Sequence, residues 1–191
     1  MREVEVKAHV RNKQELTSRL REQGALFSNG VTQNDTVYVK EIGSLEMFLA
    51  NTFFLRIRET GEQTTFTLKY HPGRNSSDIY SMPIEHEVLV SDATELQTML
   101  TLLGFVPAMQ IIKTRETAHI GEYEICMDEV EGLGSFIELE KIIDPEHDTE
   151  PVIDEMKRFL LGLGITEEDI GVKRYDIQVL EKVYSDTKDR I

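Results

Sequence analysis

Ionisable side chains recur two residues apart in segment after segment of this chain, and that spacing limits what it can fold into. Glu3, Glu5 and Lys7 alternate with Val4, Val6 and Ala8. Arg56 and Arg58 alternate with Leu55 and Ile57, and Lys69 follows Thr65 and Thr67 with Phe66 and Leu68 between them. Glu85 and Glu87, Lys113 and Arg115, and Glu138 and Glu140 repeat the spacing, while Asp128 shares parity with Glu124 and Cys126. The last glutamates are set against Ile137 and Leu139, with Phe136 assigned to the same apolar side. A period of two sends alternate residues to opposite faces of a strand, so each segment has one apolar and one ionised face.

Strands are expected near 2–10, 28–40, 53–60, 63–70, 80–90, 107–118, 121–130 and 133–142. Four stretches have helical spacing instead. Asn12 with Glu15 and Asp92 with Glu95 are N-cap signatures, leading to helices that carry Leu16 and Leu20, or Leu96, Met99, Leu100 and Leu103. These helices end at Gly24 and Gly104. A third is expected from Pro151 to Gly164 and a shorter one from Tyr175 to Tyr184. The two capped helices each follow a Glu-x-Glu strand, which hints at an internal duplication.

Amphipathic helices need an apolar sheet face to cover. If they cover the outside of a barrel, the ionised faces are left inside. The expected fold is therefore α+β, a closed eight-stranded antiparallel β-barrel with helices packed on the outside, as one domain over residues 1–191. An interior holding both signs of charge is costly unless it stays wet or takes ligands that complete the pairing.

The chemistry divides by sign. Carboxylates two residues apart converge and supply the hard oxygen ligands of magnesium or manganese, so Glu3, Glu5, Asp128, Glu138 and Glu140 are the candidate metal ligands. Arginine forks and lysine point charges suit phosphate oxygens, which makes Lys7, Arg56, Arg58, Lys69, Lys113 and Arg115 the candidate substrate clamps. So many cations facing several acids suit a chain of phosphates bridged by metal. Glu5, Lys7, Lys113 and Arg115 are the candidate catalytic set.

Composition narrows the alternatives. With 21 Lys and Arg against 35 Asp and Glu, a net charge of −14 speaks against a surface that tracks nucleic acid. No apolar run approaches the ~20 residues needed to span a bilayer, and the charged start is unlike a signal peptide. The lone Cys126 suits a reducing cytoplasm and is read as a packed thiol. The five histidines show no zinc-ligand spacing. A homodimer is the default expectation for an oligomer.

These residues resemble the CYTH, or triphosphate tunnel metalloenzyme, superfamily. The opening Glu3-Val4-Glu5-Val6-Lys7 looks like its Glu-x-Glu-x-Lys strand. The likeness continues through Gln33 to Thr36, Leu55 to Arg58, Thr67 to Lys69, Lys113 to Arg115 and Asp128 to Glu140, over roughly 140 residues. It implies a β-tunnel, binding of a triphosphate substrate by the cations above, and Mg2+ or Mn2+ as two ions held by the acids. Its first implication for activity is a class IV adenylyl cyclase, converting ATP to 3′,5′-cyclic AMP and pyrophosphate. The alternative is a triphosphatase acting on thiamine triphosphate or inorganic tripolyphosphate; a non-catalytic polyphosphate or nucleotide binder is a third reading. Two positions depart from the pattern: Val37 stands before Tyr38, and Arg174-Tyr175 stands where cyclase relatives often carry Ser-Tyr.

Overall fold

The computed structural model describes residues 1–40, 47–48, 52–61, 63–70 and 84–188. Most of the loop expected from Glu41 to Thr52, the stretch His71 to Ser77 with Arg74, and residues 80–83 of the fifth expected strand lie outside them. Eight strands are present: β1 (Arg2–His9), β2 (Val31–Val39), β3 (Phe53–Thr60), β4 (Gln63–Tyr70), β5 (Ile84–Val90), β6 (Val106–Ile120), β7 (Tyr123–Val130) and β8 (Gly134–Ile143). Among the described residues they are accompanied by helices α1 (Lys13–Glu22), α2 (Ala93–Leu102), α3 (Glu150–Gly162) and α4 (Tyr175–Lys188). The expected α+β class, with eight antiparallel strands, is the one observed.

The chain divides into two compact units, Met1–Val31 with Lys113–Val172, and Thr32–Ile112 with Lys173–Ile191. In the first unit the strands run in the order β1-β8-β7-β6. Val4, Val6 and Ala8 of β1, Ile137 and Leu139 of β8, and Ile125 and Met127 of β7 are buried together with Leu16 and Leu20 of α1 and Ile153, Met156 and Leu160 of α3. Helix α3 packs on β1. Burying each such side chain contributes about 1.5–3 kcal/mol, enough to decide which face of the sheet the helices cover.

The second unit repeats the plan with the order β2-β3-β4-β5. Tyr38, Leu55, Ile57 and Leu100 form its core, with Phe66, Leu68, Leu96 and Phe105 packed against them. Tyr38 is thus on the apolar side, while Val37 lies across from Arg56 on the charged side.

The two capped helices begin and end alike. The Asn12 side chain accepts the Glu15 N–H at 3.2 Å, and Asp92 accepts the Glu95 N–H at 2.9 Å. At the other ends Gly24 and Gly104 adopt φ of 95° and 83°, a left-handed geometry that glycine enters without a Cβ penalty. Each then lets the next residue, Ala25 or Phe105, return its N–H to a carbonyl of the last turn.

One assignment is corrected. Phe136 pairs with His9 and Asp128 across the sheet, so it shares the face of Glu138 and not that of Ile137. Its ring meets His9 edge-on at 5.3 Å, which gives an aromatic residue on the charged face a partner there. No helix among the described residues is long and apolar enough to cross a membrane.

Candidate active site

Register decides which charges meet in the first unit. Residues directly opposite in an antiparallel pair share a face. Glu5 lies across from Glu140 and Lys7 from Glu138 on one side of β8; Glu124 lies across from Glu140 and Cys126 from Glu138 on the other. Arg115 lies across from Asp128. Lys7 Nζ is 2.7 Å from Glu138 Oε1 and 3.2 Å from Glu5 Oε1. Arg115 donates from Nε and Nη2 to the two oxygens of Asp128 at 2.7 and 2.6 Å, and Lys113 Nζ reaches Asp128 Oδ2 at 2.7 Å. Arg115 also pairs with Glu138 and comes within 4.0 Å of Glu140.

Acids dominate this cluster, and the proton affinities report it. Burial pulls the Lys7 ammonium down, but Glu138 and Glu5 outweigh it and hold it above the ordinary lysine range. Burial likewise opposes the Arg115 charge and is overcome by Glu138 and Asp128. For Glu138 burial favours the neutral acid, yet Lys7, Arg115 and Lys113 keep it ionised well below the usual carboxylate range. Glu140 goes the other way: burial, then repulsion from Glu138, Glu5 and Glu3, lifts its carboxyl to about 8 despite Arg115. The Cys126 thiol is pushed up by burial, with Glu140, Glu138 and Asp128 adding to the rise against the opposing Arg115.

The second unit has a different balance. Arg58 forks onto Asp35 at 2.6 and 2.7 Å. Arg56 Nη2 donates to Thr67 Oγ1 at 3.1 Å and lies 3.4 Å from Glu87, while Thr67 donates to Glu87 at 2.8 Å. Lys69 pairs with Glu85. Burial and the neighbouring Arg58 nonetheless push the Arg56 guanidinium down by more than Asp35, Glu85 and Glu87 restore. Its Nε is buried without a hydrogen-bond partner among the described residues, as are Gln33 Oε1 and Thr65 Oγ1 on the same face. Orphaned polar atoms of this kind call for a ligand or water.

A CYTH domain model matches residues 1–175. The chain belongs to the CYTH family. A protein of Methanocaldococcus jannaschii that carries a provisional adenylate cyclase name is 32% identical to this CYTH chain over 175 residues, covering 92% of it and 97% of the relative. The solved structure of the PH1819 protein from Pyrococcus horikoshii superposes with a TM-score of 0.76 at 25% identity, covering 94% of this chain and 99% of the other. A Hippeastrum protein, provisionally named an adenylyl cyclase and described as having a dominant triphosphatase activity, aligns with a TM-score of 0.57 at 17% identity over 86% of this chain and 89% of its own. That last likeness is one of fold.

The sequence-based residues fall into these two clusters. Lys7, Lys113, Arg115, Glu5, Asp128, Glu138 and Glu140 meet in the first unit, where Glu3 is close enough to raise the Glu140 acid. Arg56, Arg58 and Lys69 meet in the second. Asp128, fully buried, directs both oxygens at Lys113 and Arg115, so its first role here is to hold those cations in place.

Three kinds of residue escaped the sequence reading. Glu124 and Cys126 join Glu140 in a group whose donor atoms lie within 4.8 Å of one another. Cys126 is buried as expected, but on the charged side, its Sγ 4.0 Å from Glu140 Oε1. Asp35 is the brace of Arg58, signalled only by its position in Gln33 to Thr36. The two carboxylates fit a hard divalent cation, whose charge would relieve the repulsion that raises Glu140, while the neutral Cys126 thiol adds no oxygen ligand.

Proposed function

We propose that this CYTH chain works as a single functional domain and hydrolyses the phosphate chain of a triphosphate substrate in the presence of Mg2+ or Mn2+. The reading is carried by one observation: the two charged clusters are out of balance in opposite senses. The acids around Glu140 are short of positive charge, and Arg56 keeps a buried Nε without an acceptor among the described residues. A metal–triphosphate complex carries both missing charges.

In this assignment Glu3, Glu5, Glu138 and Glu140 hold one or two divalent ions, with Glu124 and Cys126 within reach of Glu140. Bound there, a divalent ion supplies Lewis-acid polarisation of phosphoryl oxygen and a lowered pKa for an attacking water. Lys7, Lys113 and Arg115 neutralise charge on the reacting phosphoryl group, their positions held by Glu138 and Asp128. Arg56, Arg58 and Lys69 bind the remaining phosphates. Water adds to the terminal phosphorus, the adjoining anhydride bond breaks, and orthophosphate and a diphosphate leave. Catalysis rests on position and electrostatics, as for other phosphoryl transfers, and no side chain is assigned as general base. A lone cysteine suits a cytoplasmic setting for this chemistry.

The second reading is cyclisation of ATP to 3′,5′-cyclic AMP and pyrophosphate, favoured by the cyclase name of the Methanocaldococcus jannaschii relative. Incubation with ATP, thiamine triphosphate or tripolyphosphate, each with Mg2+ or Mn2+, separates the readings. Orthophosphate release is expected. Cyclic AMP as the main product from ATP would replace hydrolysis by cyclisation, and no product from any substrate would remove the enzymatic reading.

A further inference from the structure

The departure at Arg174 has a structural counterpart on the charged face of the second unit. Helix α4 starts directly after Arg174, whose carbonyl accepts the Gln178 N–H at 3.1 Å. The Arg174 side chain donates from Nε to Asp176 Oδ1 at 3.1 Å and from Nη2 to Oδ2 at 2.8 Å. Two parallel bonds fix the plane of a guanidinium as well as its position. Asp176 is buried; burial opposes its charge, but Arg174, the Ile177 N–H and Lys69 together hold its carboxyl below the ordinary aspartate range. The fork is therefore anchored on an ionised partner.

What the fork covers is the ring of Phe54, with the guanidinium carbon 5.3 Å from the ring centroid. Phe54 lies directly across from Lys69 and two residues before Arg56, so it stands on the charged face at one end of the row Phe54, Arg56, Arg58. At about 3.3 Å per residue that row is about 13 Å long. A flat aromatic face at the end of a phosphate-binding row is the natural support for a purine or pyrimidine ring. Here a guanidinium occupies it, and guanidinium planes both stack on aromatics and fork onto phosphate oxygens.

We propose that Arg174 is a specificity-determining residue: laid on Phe54 by Asp176, it closes that ring to a substrate's organic group and places a positive charge at the same end of the row, favouring inorganic tripolyphosphate over nucleoside triphosphates. This rests on the triphosphate-processing function above. Tripolyphosphate ends in a free phosphate at both ends, whereas the α-phosphate of ATP is esterified and carries less charge, so an added cation discriminates in favour of the inorganic chain.

The test compares the wild-type chain with R174S, R174K and D176N, using tripolyphosphate and ATP with Mn2+ and separating kcat from KM. R174S should raise KM for tripolyphosphate about tenfold with little change in kcat, while KM for ATP stays level or falls, moving the kcat/KM ratio at least tenfold toward ATP. R174K keeps the charge without the planar cover and should retain tripolyphosphate binding better than R174S does. D176N, which frees the fork, should move the ratio in the same direction by a smaller factor and serves if R174S does not fold. Equal losses on both substrates, or a ratio unchanged within twofold, would overturn the assignment. If the wild type turns over neither substrate, the hydrolase reading fails separately, and calorimetric Kd values for tripolyphosphate and a non-hydrolysable ATP analogue judge Arg174 by the same ratio.

Discussion

The two units of this CYTH chain start from nearly the same parts and reach opposite electrostatic ends. Each has a Glu-x-Glu strand at the end of its strand order, Glu3 and Glu5 in β1 or Glu85 and Glu87 in β5, followed by a helix with the same cap at its start and the same glycine exit. What differs is the strand next door. β1 lies against Glu138 and Glu140 of β8, so acids face acids and the Glu140 carboxyl rises to about 8. β5 lies against Thr67 and Lys69 of β4, with Arg56 one strand further on, so its acids pair with cations, and Arg56 still has a buried Nε with no acceptor among the described residues. One scaffold, carrying different neighbours, makes a cation-seeking cluster in one unit and an anion-seeking cluster in the other.

The contrast is most directly broken by activity. Glu5→Gln should lower kcat more than about hundredfold in Mg2+ or Mn2+, because it removes a proposed ligand. Glu85→Gln in the matching strand should cost less than about threefold. Comparable losses from the two would mean that the units do not divide the work by sign.

Stability gives the next largest difference. Asp128→Asn leaves Lys113 and Arg115 buried with a weakened partner, and breaking a buried pair in this way typically costs about 3–5 kcal/mol in denaturant unfolding. Glu87→Gln, at a side chain 49% exposed, should stay within about 1 kcal/mol. A third substitution sharpens the comparison from the other side. Arg56→Met removes a cation that burial and Arg58 disfavour, so it should raise KM for a triphosphate roughly tenfold while leaving unfolding free energy within about 1 kcal/mol of wild type. A loss as large as that of Asp128→Asn would show that Arg56 is held as firmly as the cations of the first unit.

Taken per pH unit, the smallest expected effect is a slope in stability. A Glu140 carboxyl at about 8 when folded lies above its unfolded value of about 4.3, so the folded chain binds more protons between those limits. The associated stability is fully present below the unfolded value and is lost as pH rises through about 8, at no more than roughly 1.4 kcal/mol per pH unit. Thermal melts of metal-free protein should show this decline, and Glu140→Gln should flatten it. An unchanged slope in the variant would assign the decline to other groups.

Much of the fold was legible because it is written in periods. The alternation of two and the capped helices at Asn12 and Asp92 are local patterns, and they place strands and helices within a few residues of where they lie. The same alternation identified the ionised faces, since parity along a strand needs no knowledge of its neighbour. Phe136 shares parity with Glu138, so the same rule places it on the charged face and not beside Ile137. Cys126 and Glu124 were legible as to face but not as to company, because their nearness to Glu140 depends on how β7 is registered against β8.

By itself, then, the sequence determined which side chains share a face, and hence that the acids and cations spaced two apart stand together on one side of their strand. Only the tertiary structure decided which of them are satisfied. Asp35, Asp128 and Asp176 became braces, Glu140 was left among repelling acids, and Arg174 came to lie on Phe54. The physical reason is that charge balance belongs to pairs brought together across strands and helices, and burial multiplies the energy of each pair.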